Sequence, residues 1–181
     1  MKFLLILLPL YCFSVTLDSD YINSEYESLS KKQKQVIREA YDLGNRLIID
    51  GESYGYTLAT FTLVESSAGL FLSGDDRHSF GLTHIQIPRA RELLEVSLYY
   101  SGLNALSDKK LSNILETDNR LNVVLAGLNF KLNLAKWKSY SKAIRSHNGY
   151  SESRKIYNYN YYTRFVNSMQ IIKRVINETK N

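Results

Sequence analysis

Glu65 is the residue in this chain whose setting most favours chemistry. It follows the apolar run ending at Val64 and precedes Ser66-Ser67-Ala68-Gly69, so its carboxyl sits against a hydrophobic wall and beside a flexible loop. Desolvation at such a place disfavours the charged form, which is the condition for a general acid near neutral pH. A helix-end glutamate is more often simply solvated, and only its companions can decide between the two. Those companions are Ser79-Phe80-Gly81-Leu82-Thr83-His84-Ile85-Gln86 and, much later, Ala143-Ile144-Arg145-Ser146-His147-Asn148-Gly149. His84, Gln86, His147 and Asn148 can donate and accept hydrogen bonds, as a polar, sugar-like ligand requires, and imidazole also titrates near neutrality. Other chemistries find less support. There is no Gly-x-Ser-x-Gly elbow and no persuasive triad for a serine nucleophile. No plausible His/Cys/Asp cluster suggests a metal, so neither metal nor cofactor is expected.

The elements that must carry these residues read mainly as helices. Gly 9 and Pro 2 in 181 residues leave few breakers. Ser30 and Gln33 form a capping-box pattern, after which Val36, Ile37, Ala40, Leu43, Leu47 and Ile48 recur at helical spacing until Asp50-Gly51. The spacing predicts a second helix over residues 56–66, which ends at the Glu65-Ser66 pair. Residues 69–81 read as a polar loop. Pro88 opens a helix over about 89–100, Ser107 caps a short one to 115, and Asp118 caps a longer one with Leu121, Val124, Leu125 and Leu128 on one face. Residues 137–145 read as a helix with Tyr140, Ala143 and Ile144 inward. A last helix carries Tyr161 or Tyr162, then Phe165, Met169, Ile172 and Ile176. Residues 71–87 choose no clear period and leave room for a small β element.

The N-terminus reads as a targeting segment. Lys2 precedes an apolar core through Val15, with small residues at Ser14 and Thr16, as in a secretory signal peptide. Residues 1–16 are therefore expected to be removed and 17–181 to form one domain, exported to the periplasm or cell envelope. Cys12 is the only cysteine, so the exported domain would hold no disulfide and no cysteine metal site. Loss of Lys2 takes the formal charge from +5 to +4. The basic residues are dispersed without interleaved aromatics, which argues against a nucleic-acid partner. No apolar stretch reaches the roughly 18–20 residues that span a bilayer. The fourteen tyrosines could offer flat faces to ring-shaped ligands, although helix packing is their commoner use.

Taken in order, the Glu65-Ser66 pair, the Gly81-Leu82-Thr83-His84 segment and the Ser146-His147-Asn148-Gly149 segment resemble the soluble lytic transglycosylases with a goose-lysozyme-like catalytic domain. That family has a helix-ending Glu-Ser, then a Gly-Leu-Met-Gln-like segment, then an Ala-Tyr-Asn-Ala-Gly-like segment. The resemblance covers about residues 56–166. It implies a lysozyme-like, mainly α single domain that cleaves the MurNAc-β-1,4-GlcNAc bond of peptidoglycan and leaves a 1,6-anhydroMurNAc end. One glutamate, matching Glu65, would act first as general acid and then as general base. Ser66 matches the serine beside it, from where a hydroxyl bonds the carboxylate or caps the helix. His84 stands where the family has glutamine, with Gln86 as a stand-in for that contact. His147 replaces the usual tyrosine, Asn148 matches a sugar-contacting amide, and Tyr162 matches a tyrosine near the glutamate. The partners implied are peptidoglycan glycan strands, with an envelope-spanning assembly left open. Two alternatives stay beside this one. A lysozyme-like hydrolase would add Asp75 or Asp76 as second carboxylate, and a non-catalytic peptidoglycan-binding module would keep the groove without turnover.

Overall fold

A computed structural model describes residues 15–49, 51–74, 78–97, 100–149 and 155–178. The segment expected to be cleaved lies outside them up to residue 14, and so do Asp75 and Asp76. The described residues are mainly α with a small β element, as expected. In chain order they form α1 (Ser19–Ser28), α2 (Lys31–Arg46), β1 (Ile48–Ile49), β2 (Glu52–Ser53), α3 (Gly55–Ser66), β3 (Ser79–Phe80), β4 (Ile85–Gln86), α4 (Ile87–Val96), a 3₁₀ turn (Ser101–Ala105), α5 (Asp108–Thr117), α6 (Asn119–Trp137), α7 (Tyr140–His147) and α8 (Lys155–Asn177). The strands make two antiparallel hairpins, β1–β2 and β3–β4.

α3 is the central helix, packed against α2, α6 and α8. Ten of its twelve residues are buried, and the two that are not are Tyr56 and Glu65. Such a helix has no polar face for a period to reveal, and two of its hydroxyls are satisfied locally: Thr60 and Thr62 donate to the carbonyls of Tyr56 and Ala59. α2 reaches α3 closely because both present glycine at the crossing. A Cβ on Gly44 would lie 2.8 Å from the Cα of Gly55. Phe61 of α3 meets Phe130 of α6 and Phe165 of α8 edge-on, at 6.3 and 5.1 Å between ring centres. Edge-to-face pairs of this kind add about 0.5–1.5 kcal/mol beyond burial. The capping box at the start of α2 forms as read, with Ser30 and Gln33 bonding each other's backbone N–H groups.

Several elements differ from the sequence reading, among them α4, which starts at Ile87 and ends at Val96 rather than running to about residue 100. α1, capped by the Asp18 side chain at Tyr21 N, was not anticipated. Ile48 leaves the helix and pairs across Gly51, which takes a left-handed φ of 82°. Trp137 closes α6 rather than opening the next helix: Lys138 turns to φ 49° and Ser139 caps α7 at Lys142 N. Tyr140 turns inward as read: its ring meets Phe130 edge-on at 5.6 Å and its hydroxyl meets Thr57 Oγ1 at 2.6 Å, although the residue keeps 36% exposure.

Candidate active site

Glu65 is the next-to-last residue of the buried helix α3, and the chain is made to turn sharply just beyond Ser66. Ser67, Ala68 and Gly69 all have positive φ, at 50°, 54° and 89°. For non-glycine residues each such conformation costs on the order of 1 kcal/mol, so surrounding bonds must fix it. They do: Ser67 and Ala68 donate to the carbonyls of Leu63 and Thr62, and Gln33 Nε2 holds the carbonyl of Ser67 at 2.9 Å. Ser66 belongs to this cap. Its buried hydroxyl donates to Thr62 O and accepts from Gly69 N, each at 3.0 Å, so Ser66 terminates the helix rather than bonding Glu65.

The Glu65 side chain is 13% exposed and has two different partners. Tyr161 Oη donates to Oε1 at 2.5 Å. Burial, and then the neighbouring Glu65 carboxylate, hold the Tyr161 hydroxyl well above the usual phenol value, so it stays a donor. The other oxygen, Oε2, faces His84 Nδ1 at 3.8 Å. The sequence reading assigned the tyrosine beside the glutamate to Tyr162; the structure gives that place to Tyr161. Tyr162 is half-buried against the core and does not line the cavity. The stripe of α8 was the available signal, because Tyr161, Phe165, Ile172 and Ile176 are all buried on it.

His84 is presented by the β3–β4 turn, itself in a left-handed conformation at φ 46°. Asn122 of α6 builds that turn from below, accepting from Thr83 N and Oγ1 at 2.8 Å each and donating to Phe80 O at 2.9 Å. The ring is held from the far side, where Nε2 meets Phe71 O at 2.8 Å. A carbonyl only accepts, so Nε2 carries the hydrogen and Nδ1 is the atom turned toward Glu65.

A cavity of about 810 Å³ opens in front of these groups. Glu65, His84, Gln86, His147 and Asn148 all line it, so five of the seven predicted residues converge. Gln86 is exposed on its rim and Asn148 caps the end of α7. His147 serves as wall rather than ligand contact. Its ring stacks on Phe61 at 4.2 Å, Nε2 bonds Thr83 O at 2.8 Å, and Nδ1 faces Asn129 Nδ2 at 3.4 Å. Both ring nitrogens are therefore taken.

Among the lining residues that sequence reading missed are Arg89, Asn129, Asn133, Lys136 and Trp137. Asn129 is their hub, accepting from Arg89 Nε at 2.9 Å and from Asn133 Nδ2 at 3.2 Å. Two asparagines four apart inside an apolar helix were a readable signal, since buried amides need partners. Glu65 is the sole carboxylate among the described residues lining the cavity, which also holds the cations Arg89 and Lys136. Such a cavity can deliver a proton from one carboxyl, bond a polar ligand through amides, and attract negative charge. A second groove of about 840 Å³, between α2 and α6, contains none of the predicted residues.

Among the described residues no helix is long and apolar enough to cross a membrane, and no three His, Cys, Asp or Glu side chains are grouped to hold a metal ion. No family model matches this chain, and no curated protein or solved structure matches it.

Proposed function

We propose that this chain is a peptidoglycan lytic transglycosylase, lysozyme-like in its architecture, which cleaves the MurNAc-β-1,4-GlcNAc bond with Glu65 as its single acid and base. The observation that carries this reading is the asymmetric hold on Glu65. Tyr161 fixes Oε1 as an acceptor, which leaves Oε2 as the oxygen that carries a proton into the cavity. Oε2–H protonates the leaving glycosidic oxygen, and the anomeric C–O bond breaks with its electron pair on that oxygen. The muramoyl 6-hydroxyl then attacks the anomeric carbon while its proton returns to Oε2. The nucleophile belongs to the substrate, and such intramolecular attack at high effective concentration replaces a second carboxylate. The cavity's volume lies within the common range for ligand sites, about 300–1,000 Å³. Its amides suit N-acetyl and hydroxyl groups, and Arg89 and Lys136 suit the carboxylates of muramoyl units and their peptides.

Digestion of purified peptidoglycan by the chain, followed by mass spectrometry of the released muropeptides, tests this. The expected products carry 1,6-anhydromuramic ends, lighter than hydrolysis products by one water. Reducing ends that take up label from isotopic water, together with loss of activity in Asp75→Asn or Asp76→Asn, would establish a hydrolase instead. Binding to peptidoglycan without any product would establish a binding module.

A further inference from the structure

One wall of the cavity is a ladder of polar side chains on α6. Asn129, Asn133 and Lys136 follow one another at helical spacing, so a single face of the helix turns them to the cavity over about 10 Å. Asn129 is 6% exposed, and a buried mid-helix amide needs partners. Its role is to hold Arg89 of α4. Asn129 Oδ1 accepts from Arg89 Nε at 2.9 Å and from Asn133 Nδ2 at 3.2 Å, while its Nδ2 faces His147 Nδ1 at 3.4 Å. His147 Nε2 is bonded in turn to Thr83 O, so Asn129 and His147 together tie the guanidinium to the turn that carries His84. Glu92 takes NH1 at 2.5 Å, but Glu92 does not line the cavity, and its side chain is 62% exposed, where an ion pair is weak. NH2 has no partner among the described residues. Lys136 likewise meets no carboxylate among them; its Nζ lies 5.0 Å from the Trp137 ring centre. The described lining thus sets two cations against one carboxylate, Glu65.

We propose that Arg89 is the carboxylate-binding residue of this cavity and makes an anionic glycan, rather than a neutral one, its preferred ligand. This rests on the reading of the cavity as a glycan site and names which glycans it selects. A neutral sugar chain offers a guanidinium only hydroxyl and acetamido oxygens, whereas a carboxylate forms a shorter, charge-assisted bond of roughly twice the strength. The fork is already held at Nε and NH1 before a ligand arrives, so little side-chain freedom is lost when NH2 donates. Lys136 is a hydrated point charge on a flexible stem and adds attraction without orientation. A muramoyl unit carries its carboxylate in one of two places: on the lactyl group where the glycan is bare, or on the peptide where the lactyl group is amide-linked. The chemistry that Arg89 meets is the same in both.

The test is calorimetric titration of Glu65→Gln, which lacks the transferable proton, with four ligands. Two are anionic: GlcNAc-MurNAc with a free lactyl carboxylate, and the same disaccharide bearing a stem tetrapeptide. Two are neutral: the lactyl methylamide of that disaccharide, and chitobiose. At least one anionic ligand is expected to bind about tenfold or more tightly than both neutral ones, the size of one hydrogen bond to a charged group. Which of the two it is assigns the carboxylate to bare glycan or to the stem. Arg89→Gln in the same background is expected to bring the preference to within about twofold, with chitobiose affinity unchanged as the sign of an intact cavity. Arg89→Lys keeps a donor for Asn129 and the charge but not the fork, and is expected to recover only part of the preference. Equal affinity for anionic and neutral ligands, no binding of any at millimolar concentration, or a preference that survives in Arg89→Gln overturns the proposal. A preference that depends on Arg89, in a chain that leaves no anhydro ends on peptidoglycan, refutes the transglycosylase reading and leaves the carboxylate site standing. Anhydro products without any preference do the reverse.

Discussion

The backbone of Gly81 rests directly on the side-chain amide of Asn122, and the turn that carries His84 depends on that contact. A Cβ at Gly81 would overlap Asn122 Nδ2 and the carbonyl oxygen of Leu115, and φ there is +83°. Neither the α5 backbone nor a buried amide with three bonds of its own can yield cheaply. Gly81→Ala is expected to destabilise the fold by about 2–4 kcal/mol, combining overpacking with left-handed strain. Asn122→Ala removes the partner of Thr83 N and Phe80 O and should cost about 1–3 kcal/mol for the groups left unpaired. Denaturant unfolding of both variants measures this. A midpoint unchanged from wild type in Gly81→Ala would show that the turn tolerates a side chain.

Glu65→Gln keeps the shape of the side chain and removes its transferable proton. Cleavage should fall by about 10²–10⁴-fold with the fold retained. The two neighbouring tyrosines separate by register. Tyr161→Phe removes a hydrogen bond to a charged group, worth about 1.5–3 kcal/mol, so kcat/KM should fall by about 10–100-fold. Tyr162→Phe, away from the cavity, should leave it within about twofold. The opposite ranking in steady-state assays would return the role to Tyr162.

That register was the finest detail the sequence left undecided, and the reason is geometric. One residue turns a helix by about 100°, so a run of adjacent tyrosines reads equally well in two frames until the buried stripe through Phe165, Ile172 and Ile176 is imposed. Where a single face is buried, as in α2, the pattern and its capping box could be read directly. α3, and α6 over residues 121–130, are buried nearly all round, so periodicity found the helices but not what they touch. The Trp137 boundary was illegible for another reason: Lys138 takes the left-handed turn that glycine would have announced. The site itself was legible to the extent that it used polar residues at loop ends. Its wall of Asn129 and Asn133 left a signal, two amides four apart in an apolar helix, but nothing in the sequence said which cavity they face.

At the opposite end of α8, Glu178 ties the helix to the N-terminal half. It receives Lys34 Nζ at 2.8 Å and Arg38 NH2 at 2.9 Å, and the Tyr26 hydroxyl donates to it. The Lys34 bond first, then that of Tyr26, holds the Glu178 carboxyl below the ordinary glutamate value. A depressed carboxyl contributes stability above its unfolded value and loses it as pH falls through the folded one. Glu178→Gln should therefore cost stability at pH 7 and little below the carboxylate range. The side chain is 34% exposed, which keeps the loss to about 0.5–1 kcal/mol. Thermal unfolding at pH 7 and pH 3 reads the difference, and an equal loss at both would assign the effect to packing.

Trp137, the chain's single tryptophan, lines the cavity with Lys136 Nζ 5.0 Å and Lys142 Nζ 5.6 Å from its ring centre. Its emission therefore reports on the site alone. A glycan entering the cavity replaces water beside the ring and disturbs the two ammonium groups, so titration with muropeptides should change the fluorescence saturably. Trp137→Phe should abolish that signal while keeping an aromatic face. Trp137→Ala should raise KM by about 5–10-fold, the effect of losing one aromatic contact of about 1–1.5 kcal/mol, with kcat little changed because the ring carries no transferable proton. A matched fall in kcat and in kcat/KM would instead mean that the ring acts only at the transition state, and an unchanged KM would place the glycan elsewhere in the cavity.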